Sequence, residues 1–71
     1  MAEHVFKVIE LVGTSKESVS DAINAAVKRA AATVRNMRWF EVVETRGDIV
    51  GENVQHYQVT LKVGFTLEDA G

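Results

Sequence analysis

Trp39 is the only tryptophan in the 71-residue chain, and alternation along its segment turns it away from Phe40 and Val42. A covered tryptophan buries on the order of 200 Å², worth several kcal/mol at about 25 cal/mol per Å². An indole so placed has two readings. It fills a contact between subunits, or it is a platform on which a planar ligand stacks. Gln58 falls on the same side of the neighbouring segment. Its amide offers a donor and an acceptor side by side, which suits the edge of a flat heterocycle; the plainer alternative is a solvated strand residue. Gly64 is expected opposite Trp39. A glycine inside a strand marks close approach by a ligand or another backbone, or else a bulge.

Other chemistry is thinly represented. No Ser-His-Asp arrangement, glycine-rich phosphate loop or metal-ligand spacing is present, and His4 and His56 lie far apart. Glu41 and Glu44 are expected on different faces, so they make no carboxylate pair. The remaining catalytic reading is a small enzyme using His56 or Glu41 at an interface. Gly13-Thr14-Ser15 is expected to be a turn opening a helix, where free amides cap the helix or hold an anion.

Four elements position these residues. Glu3 to Val12 reads as a strand rich in β-branched residues, with Phe6, Val8 and Val12 on one face and Val5, Ile9 and Leu11 on the other. Both faces are half apolar, so both should meet protein. Thr14 and Glu17 have capping-box spacing. The stripe Val19, Ile23, Ala26, Ala30, Val34 and Met37 follows at helical steps, and six alanines between Ala22 and Ala32 favour helix. This predicts a helix of about 20 residues ending near Asn36, roughly 30 Å long.

Trp39–Arg46 and Val54–Leu67 read as the second and third strands, joined by a loop from Gly47 to Asn53. Tyr57, Val59, Leu61, Val63, Phe65 and Leu67 alternate with His56, Gln58, Thr60, Lys62, Gly64 and Thr66, giving one dry and one polar face. Setting Phe40 opposite Val63 places Val42 opposite Leu61, Glu44 opposite Val59 and Trp39 opposite Gly64, with dry residues against dry ones. Trp39 and Gln58 are then six residues apart along the third strand, roughly 20 Å. A ligand touching both must lie between subunits. The predicted fold is α+β: one βαββ domain over residues 1–71, with a three-stranded antiparallel sheet wrapped over one helix.

Composition limits the partners. A chain of this length buries only about 60% of its unfolded surface, and such domains usually rely on disulfides, a metal or oligomerisation. With no cysteine present, oligomerisation is the expected stabiliser. The net charge is -2 and no basic run occurs, which argues against nucleic acid, whose affinity rests on phosphate neutralisation. No apolar stretch approaches the roughly 20 residues of a membrane span. Met1-Ala2-Glu3-His4 lacks the apolar core of a secretory signal. A cytoplasmic protein without membrane or nucleic-acid partners is expected.

Four stretches carry a family resemblance. Val8-Ile9-Glu10-Leu11-Val12-Gly13-Thr14-Ser15, Trp39-Phe40-Glu41-Val42 with Arg46-Gly47, Tyr57-Gln58-Val59, and Lys62-Val63-Gly64-Phe65 resemble the dodecins, in the same order and over nearly the whole chain. The resemblance implies a βαββ fold, twelve-subunit hollow assemblies and flavins held in pairs between subunits. It places the family's stacking tryptophan on Trp39, its flavin-contacting glutamine on Gln58 and its arginine after the second strand on Arg46. The implied function is non-enzymatic storage, buffering or protection of FMN or riboflavin. Many bacterial members have an arginine after Val-Gly-Phe that suits the FMN phosphate. Thr66 stands there in this chain, which weakens the expected preference for the phosphorylated form. The resemblance also admits coenzyme A, with no residue assigned to it. The rival reading is a structural oligomer in which Trp39 only packs an interface.

Overall fold

The computed structural model describes residues 5–67. The element order is β1 (Phe6–Ser15), α1 (Val19–Ala30), β2 (Met37–Val50) and β3 (Asn53–Thr66). Both strand pairs are antiparallel, in the order β1-β3-β2. This is the predicted α+β arrangement. Glu3 and His4, placed in the first strand by the sequence reading, lie outside the described residues.

The dry face of β3 makes the core. Val59, Leu61 and Val63 are buried, and Ala22 and Ala26 close over them from α1. Their β1 partners are Gly13, Leu11 and Ile9. Gly13 is where helix and sheet come closest: a Cβ there would meet the Ala22 carbonyl oxygen and the Ala26 methyl. The helix buries its alanines, Ala22, Ala26 and Ala30. Val19, Ile23 and Val27 flank this line and are only partly buried. Small side chains let the backbones approach.

Three expectations are corrected. The segment Gly13-Thr14-Ser15 is strand, paired with Val59, Gln58 and Tyr57, so the predicted turn, capping box and anion site do not form there. The helix starts later, at N-cap Ser18, whose Oγ accepts from the Asp21 amide at 3.0 Å. Ser15 Oγ accepts from the Glu17 amide and donates to Asp21 Oδ2. Several serine and threonine side chains competed for the cap, and pairing with β3 held Thr14 in the sheet. The helix is also shorter, at 12 residues. After Ala30 the Thr33 and Val34 amides both bond to the Ala30 carbonyl, and Asn36 takes a positive φ of 66°. That reversal lets Met37 pair with Phe65, so Val34 and Met37 do not continue the helical stripe. Finally, β2 and β3 run through the expected loop to a two-residue turn at Gly51–Glu52.

The hairpin extends beyond the helix and gives the molecule extents of 56 × 20 × 13 Å. The helix packs against β1 and β3, leaving the dry residues of β2 bare: Phe40 is 51% exposed and Val42 40%. An open hollow of about 220 Å³ lies between Val27, Met37, Phe40 and Val63. At the hairpin tip Ile49 is 74% exposed. A single copy thus leaves apolar surface in water on both faces of its sheet. No helix among the described residues is long and apolar enough to cross a membrane.

Candidate functional site

Residues paired across a sheet share a face, so the register lays out the side opposite the helix. At one end Trp39 lies against Gly64, with Val8 on the far strand. In the middle Glu10, Lys62 and Glu41 form a row across all three strands, followed by Val12, Thr60 and Glu44. At the other end Thr14, Gln58 and Arg46 stand in line, and Asp48 faces His56 beyond them, 4.0 Å apart and exposed to solvent.

Trp39 is seated rather than free. A Cβ on Gly64 would overlap the six-membered ring of the indole, so the missing side chain is the indole's seat. The expected pairing of Trp39 with Gly64 is observed, and the space over the glycine is filled by the indole itself. Phe6 meets Trp39 edge-on, with ring centroids 5.8 Å apart and planes inclined at 62°. Trp39 nonetheless remains 41% exposed. An indole backed by Gly64, packed against Phe6 and still part-exposed is a ready stacking surface, since little side-chain freedom is lost when a second ring lies on it.

Arg46 and Gln58 are brought together. Arg46 Nε donates to Gln58 Oε1 at 2.8 Å. The cause is a bulge. Phe40 and Val42 pair with Val63 and Leu61 as expected, but the register then shifts, so that Glu44 faces Thr60 and Thr45 faces Val59. Val43 is the extra residue. Without it Arg46 would face Tyr57 on the helix side; with it Arg46 lies beside Gln58. Two expectations fall with the shift. Glu44 is not opposite Val59, and it shares the face of Glu41 instead of opposing it. A second extra residue, Arg38, sits between Met37 and Trp39. It lets Met37 point towards the helix while Trp39 points away.

Trp39 and Gln58 stay apart within one chain. Their β3 positions, Gly64 and Gln58, are six strand residues from each other, or roughly 20 Å. Phe6 is the neighbour that the sequence reading did not connect to Trp39. The signal was available in its alternation with Val8, but the partner of β1 was not. Thr14, across from Gln58, was hidden for the same reason. Among the described residues no group of three or more His, Cys, Asp or Glu side chains stands close enough to hold a metal ion.

Residues 5–68 match the family model described as Dodecin. The chain is 54% identical over 65 residues to Dodecin of Thermus thermophilus, covering 92% of this chain and 94% of that protein. It is 33% identical over 66 residues to Calcium dodecin of Mycobacterium tuberculosis, covering 93% of each. The solved structure of dodecin from Streptomyces davaonensis superposes with a TM-score of 0.89 at 46% identity, covering 96% of this chain and all of that one.

Proposed function

The chain belongs to the dodecin family of small, oligomer-forming binding proteins, and on that premise we propose that it binds flavin between subunits and sequesters it without catalysing a reaction. The observation that carries the reading is the seated indole. Trp39 rests on Gly64, packs against Phe6 and is still 41% exposed. Gln58 and Arg46 lie on the same side of the sheet. In the proposed site the isoalloxazine ring stacks on Trp39 of one subunit, and its polar edge meets Gln58, with Arg46 beside it, from another. Twelve cytoplasmic subunits would close a hollow shell around such sites.

Stacking on an indole explains what sequestration would achieve. An excited flavin beside an electron-rich ring is rapidly reduced and returned to its ground state, so its emission and its photochemistry are both suppressed. Thr66, where many members carry arginine, pairs with Phe6 at the Trp39 end of the same face. A neutral hydroxyl there leaves the site with little to distinguish riboflavin from FMN, and both are proposed ligands. Coenzyme A remains a proposed second ligand with no assigned residues. The calcium in the name of the Mycobacterium tuberculosis relative is not carried over, for want of a ligating cluster among the described residues.

The reading in which Trp39 is purely interface packing is favoured by the apolar surroundings it shares with Phe6 and Val8. One experiment separates the two. Apoprotein is titrated with riboflavin, FMN and the dinucleotide while flavin fluorescence is followed, alongside Trp39→Ala. Saturable quenching that weakens by roughly 1–3 kcal/mol in the variant, the range for an aromatic stack on a base, supports the flavin site. Absence of quenching in the parent, or an oligomer that falls apart without Trp39, supports the packing reading.

A further inference from the structure

On this face, Arg46 and Gln58 form the one hydrogen bond between side chains of different strands among the described residues. Its chemistry is directional. A guanidinium has five N–H donors and no acceptor, whereas a glutamine amide has a carbonyl oxygen and an NH₂ group. The atom facing Arg46 must therefore be Oε1, whichever way an amide would otherwise be turned. The amide is planar, so fixing Oε1 on the arginine fixes the direction of the NH₂ as well. A positive charge on the carbonyl also polarises the amide, making its N–H groups better donors.

We infer that Arg46 is a positioning residue that acts through Gln58, orienting the amide so that its NH₂ is presented to an acceptor on the ring edge of the ligand. This rests on the flavin reading above and adds to it a division of labour: Gln58 touches the ring, and Arg46 sets Gln58. The alternative is an arginine that holds the ligand's phosphate directly. The register argues for the first. The bulge at Val43 sets Arg46 beside Gln58, and its Nε–H donates to the amide oxygen at 2.8 Å; whether the four other N–H groups also hold a phosphate is what the FMN and riboflavin comparison decides. A ligand acceptor then meets an amide whose orientation is already biased by the Arg46 bond.

The two roles make different predictions for riboflavin, which has no phosphate, and FMN, which does. If Arg46 orients Gln58, Arg46→Met weakens both ligands equally, by about fivefold, the equivalent of one net hydrogen bond of ~1 kcal/mol. The loss is not compounded in the Arg46→Met/Gln58→Ala double variant, since removing Gln58 removes what Arg46 acts on. Arg46→Lys, which can still donate to Oε1, recovers part of the affinity for both. Gln58→Glu keeps the arginine's partner but has no N–H, and should bind as poorly as Gln58→Ala.

The titrations are made on assembled protein, with assembly of every variant checked by light scattering. A loss confined to FMN, losses that multiply in the double variant, or full affinity in Gln58→Glu would overturn the inference. Parent protein that quenches neither ligand defeats the flavin reading itself. That outcome is distinct from the others, because it appears before any arginine is changed.

Discussion

Adding one methyl group at Gly64 tests how Trp39 is held. The Cβ of Gly64→Ala would occupy the place of the indole's six-membered ring. The obstructing atoms belong to a side chain, so the backbone pairing with Val8 and Trp39 has no need to move; the indole must swing away. Trp39 is 41% exposed, so more than half of it is covered, roughly 120–150 Å² for a side chain of this size. At about 25 cal/mol per Å² that cover is worth roughly 3–4 kcal/mol as an upper figure. Swinging out forfeits about half of it, together with the edge-to-face contact to Phe6 at roughly 0.5–1.5 kcal/mol. Replacing a strand glycine with alanine returns roughly 0.5–1 kcal/mol of chain entropy. The expected net loss is therefore about 2 kcal/mol. It would be measured by urea unfolding at fixed protomer concentration, with indole emission as the probe. Flavin affinity should fall in parallel. In a Trp39→Ala background the same substitution should be neutral or slightly stabilising, because nothing remains to displace. If Gly64→Ala leaves stability, emission maximum and flavin affinity as in the parent, the indole does not sit on Gly64 and the platform is misplaced.

Gly13→Ala should be harsher in kind. Its Cβ would meet the Ala22 carbonyl, which no rotamer can clear, so the helix must lift from the sheet at about 1–3 kcal/mol; thermal unfolding at matched concentration measures it, and an unchanged midpoint would refute the close approach. Co-assembling Trp39→Ala subunits with Gln58→Ala subunits should regenerate some sites with both residues intact, seen as a recovered high-affinity fraction in flavin titrations. A single weak affinity at every mixing ratio would show that the two residues do not meet across subunits. Dilution followed by light scattering should show loss of folded protein with loss of the oligomer; a stable, folded species of 7.8 kDa at micromolar concentration would contradict the reliance on partners.

The fold and the pieces of the site were legible to different depths. Strict alternation in β3 yielded the dry face Val59, Leu61 and Val63, and matching it to Phe40 and Val42 gave the Trp39–Gly64 pairing found in the structure. Those are consequences of side-chain period, which sequence records directly. The bulge was invisible. Val42, Val43 and Glu44 look like uninterrupted strand, and an extra unpaired residue is a property of the ladder rather than of residue type. So the family resemblance marked Arg46 as a site residue, but its place beside Gln58 came only from the structure. The helix end was misread for a related reason: an alanine run favours helix to its last residue, and only the demand that Met37 pair with Phe65 stops it at Ala30.

The strand order β1-β3-β2 also sets a sequence of events in folding. The central strand is the one that follows all the other elements along the chain. β2 and β3 are joined by a tight turn and can zip together quickly. By contrast, β1 must wait for β3, because Phe6 pairs with Thr66 across nearly the entire length of the chain. Closing so long a loop is slow, and contacts between remote residues lengthen folding times. Until β3 arrives, α1 has no Val59, Leu61 or Val63 to cover. Every partial chain lacking β3 therefore carries a strand edge and an alanine-lined helix with no place to bury them, which is the kind of species that aggregates or recruits a chaperone. The strand that carries Gln58 and seats Trp39 is thus also the strand on whose arrival the whole sheet depends.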